Sequence, residues 1–339
     1  MIFELHAKNE TGSRDAFVTR AQETGFTVTP DVPLADYTTF KLGGPADLLV
    51  IAERITDLTR LVNLARGAGL PFFVLGGGSN ILVSDAGVRG LVIVNHCRQI
   101  AVTGTTVTAE SGALLAGLAR RTIRQGLSGL QWAVSVPGTV GGAVIGNAGA
   151  HGACMADNLV SAEVLDGQGN LTLWALADFA YAYRFSRLKR PADAQTRGAV
   201  VLTATFHLQA ADLAALAEQA ARFLAHRRAT QPVEASAGSM FQNPPGDYAG
   251  RLIEAAGLKG VQVGGVQFSP LHANFIVNLG TGRASDVVAA MDLARSRVQA
   301  QFGISLQSEI LLIGEFAQAS GREPLTDNVS EGEMRSRHE

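Results

Sequence analysis

The sequence predicts an α+β protein of three consecutive units, and three observations lead there. Short apolar strands alternate with amphipathic helical stretches through the interior of the chain. Two stretches dense in glycine follow or join those strands. A long Ala- and Leu-rich helix at 211–228 separates a strand-rich middle from a mixed last third. At 339 residues there is room for two or three cores.

Residues 1–20 read as a loosely held leader, mixed and polar, without the basic-then-apolar layout of a secretion signal. The first unit, 21–100, has a strand at 48–52 and an amphipathic helix at 57–68 with Asp57 near its start. An apolar strand at 72–75 runs straight into Gly76, and another strand follows at 91–95. In the second unit, 101–210, strands at 106–110 and 162–165 flank a helix at 113–125. Asp166-Gly167-Gln168-Gly169 between apolar runs signals a hairpin, and 200–208 alternates as a long strand. The third unit, 211–316, opens on the 211–228 helix, which carries cations at its C-terminal end. Strands at 238–242, 274–279 and 307–314 interleave with helices at 248–256, stopped by Gly257, and at 284–302. Residues 317–339 read as a polar tail.

Composition excludes several classes of function. A hydrophobic share of 47% with 17% charge describes an ordered globular protein. The net charge of −2 provides no broad field for nucleic acid or an acidic membrane. Two cysteines, Cys97 and Cys154, are too few for a disulfide framework, and no Cys/His cluster suggests a metal. The most apolar stretch, 134–155, is broken by Pro137, Asn147 and His151, which argues against a membrane helix. A cytoplasmic protein with reduced thiols and no obligate protein partner is the expectation.

The glycine-rich stretches carry the first functional signal. Gly76-Gly77-Gly78-Ser79-Asn80 exposes backbone N–H groups and lets a pyrophosphate come close, with Ser79 and Asn80 as added donors. Alone, a triple glycine is equally a flexible turn. The dinucleotide fingerprint of a Rossmann fold fails because position 81 is Ile81, and a phosphate-binding P-loop fails for want of any Gly-Lys pair. A second loop, 137–152, begins Pro137-Gly138-Thr139-Val140-Gly141-Gly142 and continues Gly146-Asn147-Ala148-Gly149-Ala150-His151-Gly152. Two such loops in one chain favour a large bound dinucleotide over two unrelated turns.

A wider set of motifs then comes into view. Residues 38–47 read Thr-Thr-Phe-Lys-Leu-Gly-Gly-Pro-Ala-Asp. After the two glycine loops come Tyr183-Arg184-Phe185-Ser186, then Gly238-Ser239-Met240-Phe241-Gln242-Asn243-Pro244. His272-Ala273-Asn274-Phe275 and Leu306-Gln307-Ser308-Glu309-Ile310 follow. In this order, over about residues 35–316, the chain resembles the UDP-N-acetylenolpyruvoylglucosamine reductase family.

The resemblance implies a two-subdomain FAD-binding fold of the vanillyl-alcohol-oxidase type, with a C-terminal α/β substrate-binding domain. It implies non-covalent FAD, NADPH as reductant and a UDP-sugar enolpyruvate as substrate. Gly76, Gly77, Gly78, Ser79, Asn80, Pro137, Gly138, Gly141, Gly142, Gly149 and Arg228 are the cofactor-binding residues it implies. Gln231, Asn243 and His272 would contact the sugar nucleotide.

Three residues would carry the chemistry. Hydride addition to C3 of an enolpyruvyl group builds negative charge on C2 and its carboxylate. Arg184 matches the family arginine at that carboxylate, where a guanidinium offers a permanent bidentate fork. Ser239 matches the proton donor to C2, and Glu309 matches a glutamate that polarises the enol or relays the proton. The chain departs from the family pattern at Phe185, often acidic or polar, and reads Leu-Gln-Ser-Glu where Leu-Glu-Pro-Glu is usual. His151 stands where a tyrosine is common, and nothing else here suggests covalent attachment of FAD to it. The span from Arg184 to Ser239 contains no tyrosine, which points to the subtype without the tyrosine-bearing insertion. A different flavin oxidoreductase on the same cofactor fold is the alternative, and would need neither the Gly238 motif nor Glu309.

Overall fold

The structure, a computed structural model, describes residues 2–3 and 11–316, so the polar tail expected at 317–339 lies outside them. In the first unit four strands line up in the order Thr29–Pro33, Pro45–Ala52, Val88–Asn95 and Phe72–Leu75. The first pair is antiparallel and the others parallel. Helix α2, Ile55–Gly67, covers this sheet because Leu58, Leu61, Val62 and Ala65 fall on one helical face. They meet Leu48, Val50, Leu91 and Ile93 of the sheet in one buried cluster.

The leader expectation does not hold between residues 11 and 20. Helix α1, Thr11–Glu23, occupies that stretch, and Phe17 and Ala21 are fully buried in the same cluster as α2. Ile2–Phe3 pairs in parallel with Leu312 and Ile313. The helix escaped sequence reading because its apolar face is narrow within a polar stretch. Docking on α2 stabilises it, and burying one such phenylalanine contributes about 1.5–3 kcal/mol.

The second unit is a five-stranded antiparallel sheet in the order Leu171–Ala175, Leu159–Leu165, Val200–His207, Thr106–Glu110, Ile100–Thr103. The expected hairpin is present. Asp166 Oδ1 accepts from the amides of Gln168 and Asn170 at 2.9 and 2.8 Å, which closes the turn. Helix α3, Leu115–Arg124, buries Leu115, Leu118, Ala119 and Ile123 in this unit's core.

The second glycine-rich stretch is not a continuous loop. It contains a short helix, α4, Val140–Gly146, and a hairpin of Gly149–Ala150 with Ala153–Cys154. Val140, Ala143 and Val144 are buried in the core, and that burial overrides the poor helix propensity of glycine. A Cβ at Gly141 would lie 2.8 Å from Ser111 Cβ, so glycine allows the helix to press on the neighbouring strand end.

Helix α5, Leu213–Thr230, is capped by the Asp212 side chain, which accepts from Ala215 N, and it buries Leu216 and Ala220 in the core of the second unit rather than the third, where the sequence reading put it. Helices α6, Ala249–Ala255, and α7, Ala284–Phe302, pack around a three-stranded sheet of Gln262–Val263, Val266–Phe268 and Ile276–Asn278. Two strand expectations here are corrected in extent. Residues 238–242 make only isolated bridges, Ser239 with Phe275 and Phe241 with Ser308, because the segment is wedged between two partners. Of 307–314, only Leu311–Ile313 is a strand, and it pairs in parallel with Ile81–Val83 of the first unit. That pairing returns the end of the third unit to the first glycine loop.

Candidate active site

The two glycine-rich stretches touch each other. A Cβ at Gly76 would lie 2.4 Å from Thr139 Oγ1, and one at Gly77 would lie 2.9 Å from Gly138 Cα. Gly138 faces Ser79 Oγ at 2.7 Å by the same construction. Gly78 has φ +57 and would place a Cβ 2.2 Å from the Tyr37 carbonyl. Residues 76–78 and 137–139 therefore form one double loop that tolerates no side chain at its seam. Ser79, Asn80 and Thr139 bring uncharged donors to it, a set suited to pyrophosphate oxygens rather than to a metal.

Asn80 joins this double loop to the third unit. Its Nδ2 donates to the Glu309 carbonyl at 3.3 Å, and its own carbonyl accepts from Leu311 N at 3.0 Å. Thr39 Oγ1 adds a second tie, to the Ser236 carbonyl at 2.7 Å.

Arg184 and Glu309, far apart in sequence, meet in space. Arg184 Nε lies 2.9 Å from Glu309 Oε1, without the alignment of a hydrogen bond. Both line a cavity of about 260 Å³, together with Tyr183, Lys189, Gln242 and Ser308. Burial pushes the Glu309 carboxyl above the usual carboxylate range, while the Arg184 and Lys189 cations pull it back down. Burial also lowers Lys189.

Ser239 stands beside this pair but is not among the residues lining that cavity. It is half-buried, bridged to Phe275, and Glu309 N donates to the carbonyl of the next residue, Met240, at 2.9 Å. Asn274 holds the whole segment in place. Its Oδ1 accepts from Phe241 N at 3.0 Å and its Nδ2 donates to Phe241 O at 2.8 Å.

The remaining expected residues are spread around this centre. Gly149 faces Cys154 across the hairpin, and Gly142 lies in α4. The hairpin tip rests on α5, where the His151 ring stacks on Phe223 with centroids 4.1 Å apart. Arg228 is exposed on the same helix, and Gln231 ends it, its amide bonding Arg227 O at 2.9 Å. Asn243 Oδ1 accepts from Ala249 N at 3.1 Å, at the start of α6. His272 Nδ1 accepts from Asn274 N at 3.2 Å, and its ring meets Phe275 edge-on. Asn243 and His272 thus each commit one side-chain atom to the fold. Lys189 and Asn274 were missed from sequence. The signal for Lys189 was the run of cations that follows Arg184, at Arg187, Lys189 and Arg190; Asn274 had none outside its motif.

Residues 231–313 match a family described as UDP-N-acetylenolpyruvoylglucosamine reductase, C-terminal domain, and residues 46–173 match an FAD binding domain. The chain is 46% identical over 285 residues to UDP-N-acetylenolpyruvoylglucosamine reductase 2 of Symbiobacterium thermophilum, covering 83% of this chain and 91% of that protein. This chain belongs to the UDP-N-acetylenolpyruvoylglucosamine reductase family. The enzyme of that name from Moorella thermoacetica is 44% identical over 84% of this chain and 92% of its own length. The crystal structure of the Thermus caldophilus reductase superposes with a TM-score of 0.73 at 36% identity, covering 85% of this chain and all of that one.

Membership makes the chain an FAD-dependent oxidoreductase and bears out the expected two-part fold, an FAD-binding portion followed by the reductase family's C-terminal domain. Both halves of the double loop fall within the FAD-binding match. Ser239, Asn243, His272 and Glu309 fall within the C-terminal match, and Arg184 lies in the connection between the two.

Proposed function

We propose that this enzyme reduces UDP-N-acetylglucosamine enolpyruvate to UDP-N-acetylmuramate, with NADPH as reductant, as a step of peptidoglycan precursor synthesis. The observation that carries the reading is the Arg184–Glu309 contact at 2.9 Å in a cavity joined by Asn80 to the glycine double loop. It sets a fixed cation and a carboxylate beside the expected cofactor cradle.

FAD held in this cradle would supply the hydride-transfer chemistry that links NADPH to the enolpyruvyl group. Residues 76–80 with Gly138, Thr139 and Gly142 would offer backbone amides to the pyrophosphate, while Pro137 and Gly141 shape the loop, the Gly141 amide being bonded to Ser111 O, and Arg228 would be a further contact. Glu309 engages Nε of Arg184, so the Nη1/Nη2 edge is the fork offered to the substrate carboxylate. That fork stabilises the charge that develops as hydride arrives. Ser239 gives its hydroxyl proton to C2, and Glu309, whose segment is bonded to the Ser239 segment through Met240 O, polarises the enol or helps return the proton. Gln231, Asn243 and His272 would contact the sugar nucleotide. The tyrosine-free span after Arg184 supports the subtype lacking the insertion. Among the described residues no helix is long and apolar enough to cross a membrane, and the reading carries a cytoplasmic location.

The test is direct. The purified protein should show flavin absorbance, oxidise about one NADPH per flavin on its own, and turn NADPH over catalytically only when the enolpyruvyl sugar nucleotide is added. Flavin without substrate-dependent turnover would leave the cofactor fold standing and overturn the substrate.

A further inference from the structure

Arg184 sits at the tip of a tight turn. Ala182 and Phe185 exchange both backbone hydrogen bonds, at 3.3 and 3.1 Å, leaving Tyr183 and Arg184 as the two central residues. Arg184 takes φ +55 there, a left-handed conformation that favours glycine. A functional side chain on such a turn needs its backbone fixed by neighbours.

The neighbours do so from two sides. Asn147 Nδ2 donates to Ala182 O at 3.0 Å, and Ser186 Oγ donates to Ile145 O at 2.5 Å, which ties the turn to α4. Lys189 closes the other side. Its amide donates to Ser186 Oγ at 3.2 Å, and its ammonium donates to the Arg184 carbonyl at 2.9 Å.

Charge gives Lys189 a second consequence. Glu309, at 2.9 Å from Arg184, offsets that cation. Lys189 lines the same cavity and adds another positive charge, with Arg190 also on its wall. The cavity therefore keeps positive charge in excess of its carboxylate, the condition for drawing in an anion.

We propose that Lys189 is the positioning residue of the Arg184–Glu309 pair, locking Arg184 into its turn and keeping the cavity positive for a substrate carboxylate. The inference rests on the reductase reading above. Because the Lys189 cation favours the ionised Glu309, removing it raises the pH at which Glu309 gives up its proton.

Lys189→Met and Lys189→Arg holoenzymes are compared with the wild type in both half-reactions across pH. Lys189→Met is expected to slow substrate reduction far more than flavin reduction by NADPH. KM for the enolpyruvyl substrate should rise about tenfold or more. The limb of the pH profile that Glu309→Gln abolishes should move to higher pH, and Lys189→Arg should return it towards the wild type. A Lys189→Met enzyme with unchanged KM and an unmoved limb overturns the proposal. Equal losses in both half-reactions with a lower Tm also overturn it, since they mark a purely structural lysine. If Lys189→Met does not fold, Lys189→Gln carries the same comparison with less loss of polarity. Absence of turnover in the wild type overturns the reductase reading and the proposal with it; wild-type turnover with an unmoved Lys189→Met profile overturns the proposal alone.

Discussion

The carboxylate of Asp85, in the first unit, holds the backbone amide of Ser285, 200 residues away, at 3.0 Å. Its other oxygen accepts from Ala284 N at 2.7 Å, so Asp85 caps α7 from a different part of the fold. Burial pushes the Asp85 carboxyl up, but hydrogen bonds from Ser285 and Ala284 outweigh it and hold it below the usual carboxylate value. A helix of the substrate-side unit is thereby fastened to the segment just beyond the glycine loop.

Asp85→Ala should cost about 1–2 kcal/mol, the loss expected for an N-cap, read as a lower urea midpoint. The sign of the pH dependence follows from the depressed carboxyl. The contribution is present above the unfolded value of 3.8 and is lost as pH falls through the lower folded value. An Asp85→Ala protein with an unchanged midpoint at neutral pH would show that the cap does not stabilise the fold.

Gly78→Ala should weaken flavin binding and lower Tm. The left-handed backbone alone costs alanine about 1–2 kcal/mol, and its Cβ would also sit 2.2 Å from the Tyr37 carbonyl. Gly146→Ala is the control, since a Cβ there meets nothing within 4 Å. It should change stability by no more than about 1 kcal/mol and keep flavin through gel filtration. Equal flavin retention in the two variants would contradict the double-loop geometry.

Ser239→Ala should slow substrate reduction by on the order of 10² or more while affecting flavin reduction by NADPH far less. Stopped-flow absorbance of the flavin separates the two steps. A parallel fall in both would remove Ser239 from the proton-donor role.

His272 should make the protein less stable in mild acid. Burial lowers it from the ordinary 6.5, and its Nδ1 must stay unprotonated to accept from Asn274 N. The folded state therefore binds fewer protons than the unfolded chain, and stability is lost as pH falls below 6.5 towards the lower folded value. Tm should drop between about pH 7.5 and about pH 5.5, and drop less in His272→Gln. His96 and His151 shift in the same direction, so the difference between the two proteins is the quantity to read.

Much of the fold was legible because its signals are local. The strands Phe72–Leu75 and Thr106–Glu110 and the helix Ala284–Phe302 emerged with their observed limits, since period and flanking residues mark them. Helix α1 was not legible. Phe17 and Ala21 make too thin an apolar face to show until α2 and the first sheet supply the surface that buries them. Helix α4 was hidden for the opposite reason, since its glycines argue for a loop and only packing against Ser111 makes them useful.

The candidate site divides along the same line. The amino-acid sequence by itself determined that two glycine-rich stretches exist, that neither suits a Rossmann or P-loop site, and that the ordered motifs place the chain in its family. These properties depend on residue type and spacing along the chain. Only the tertiary structure decided that Gly76 meets Thr139, that Asp85 caps α7, and that Arg184 faces Glu309 with Lys189 behind it. Apart from the five-residue step from Arg184 to Lys189, these contacts close loops of tens to hundreds of residues, and no local propensity encodes which ends will meet. The packed core chooses the partners, and with them the charge of the cavity.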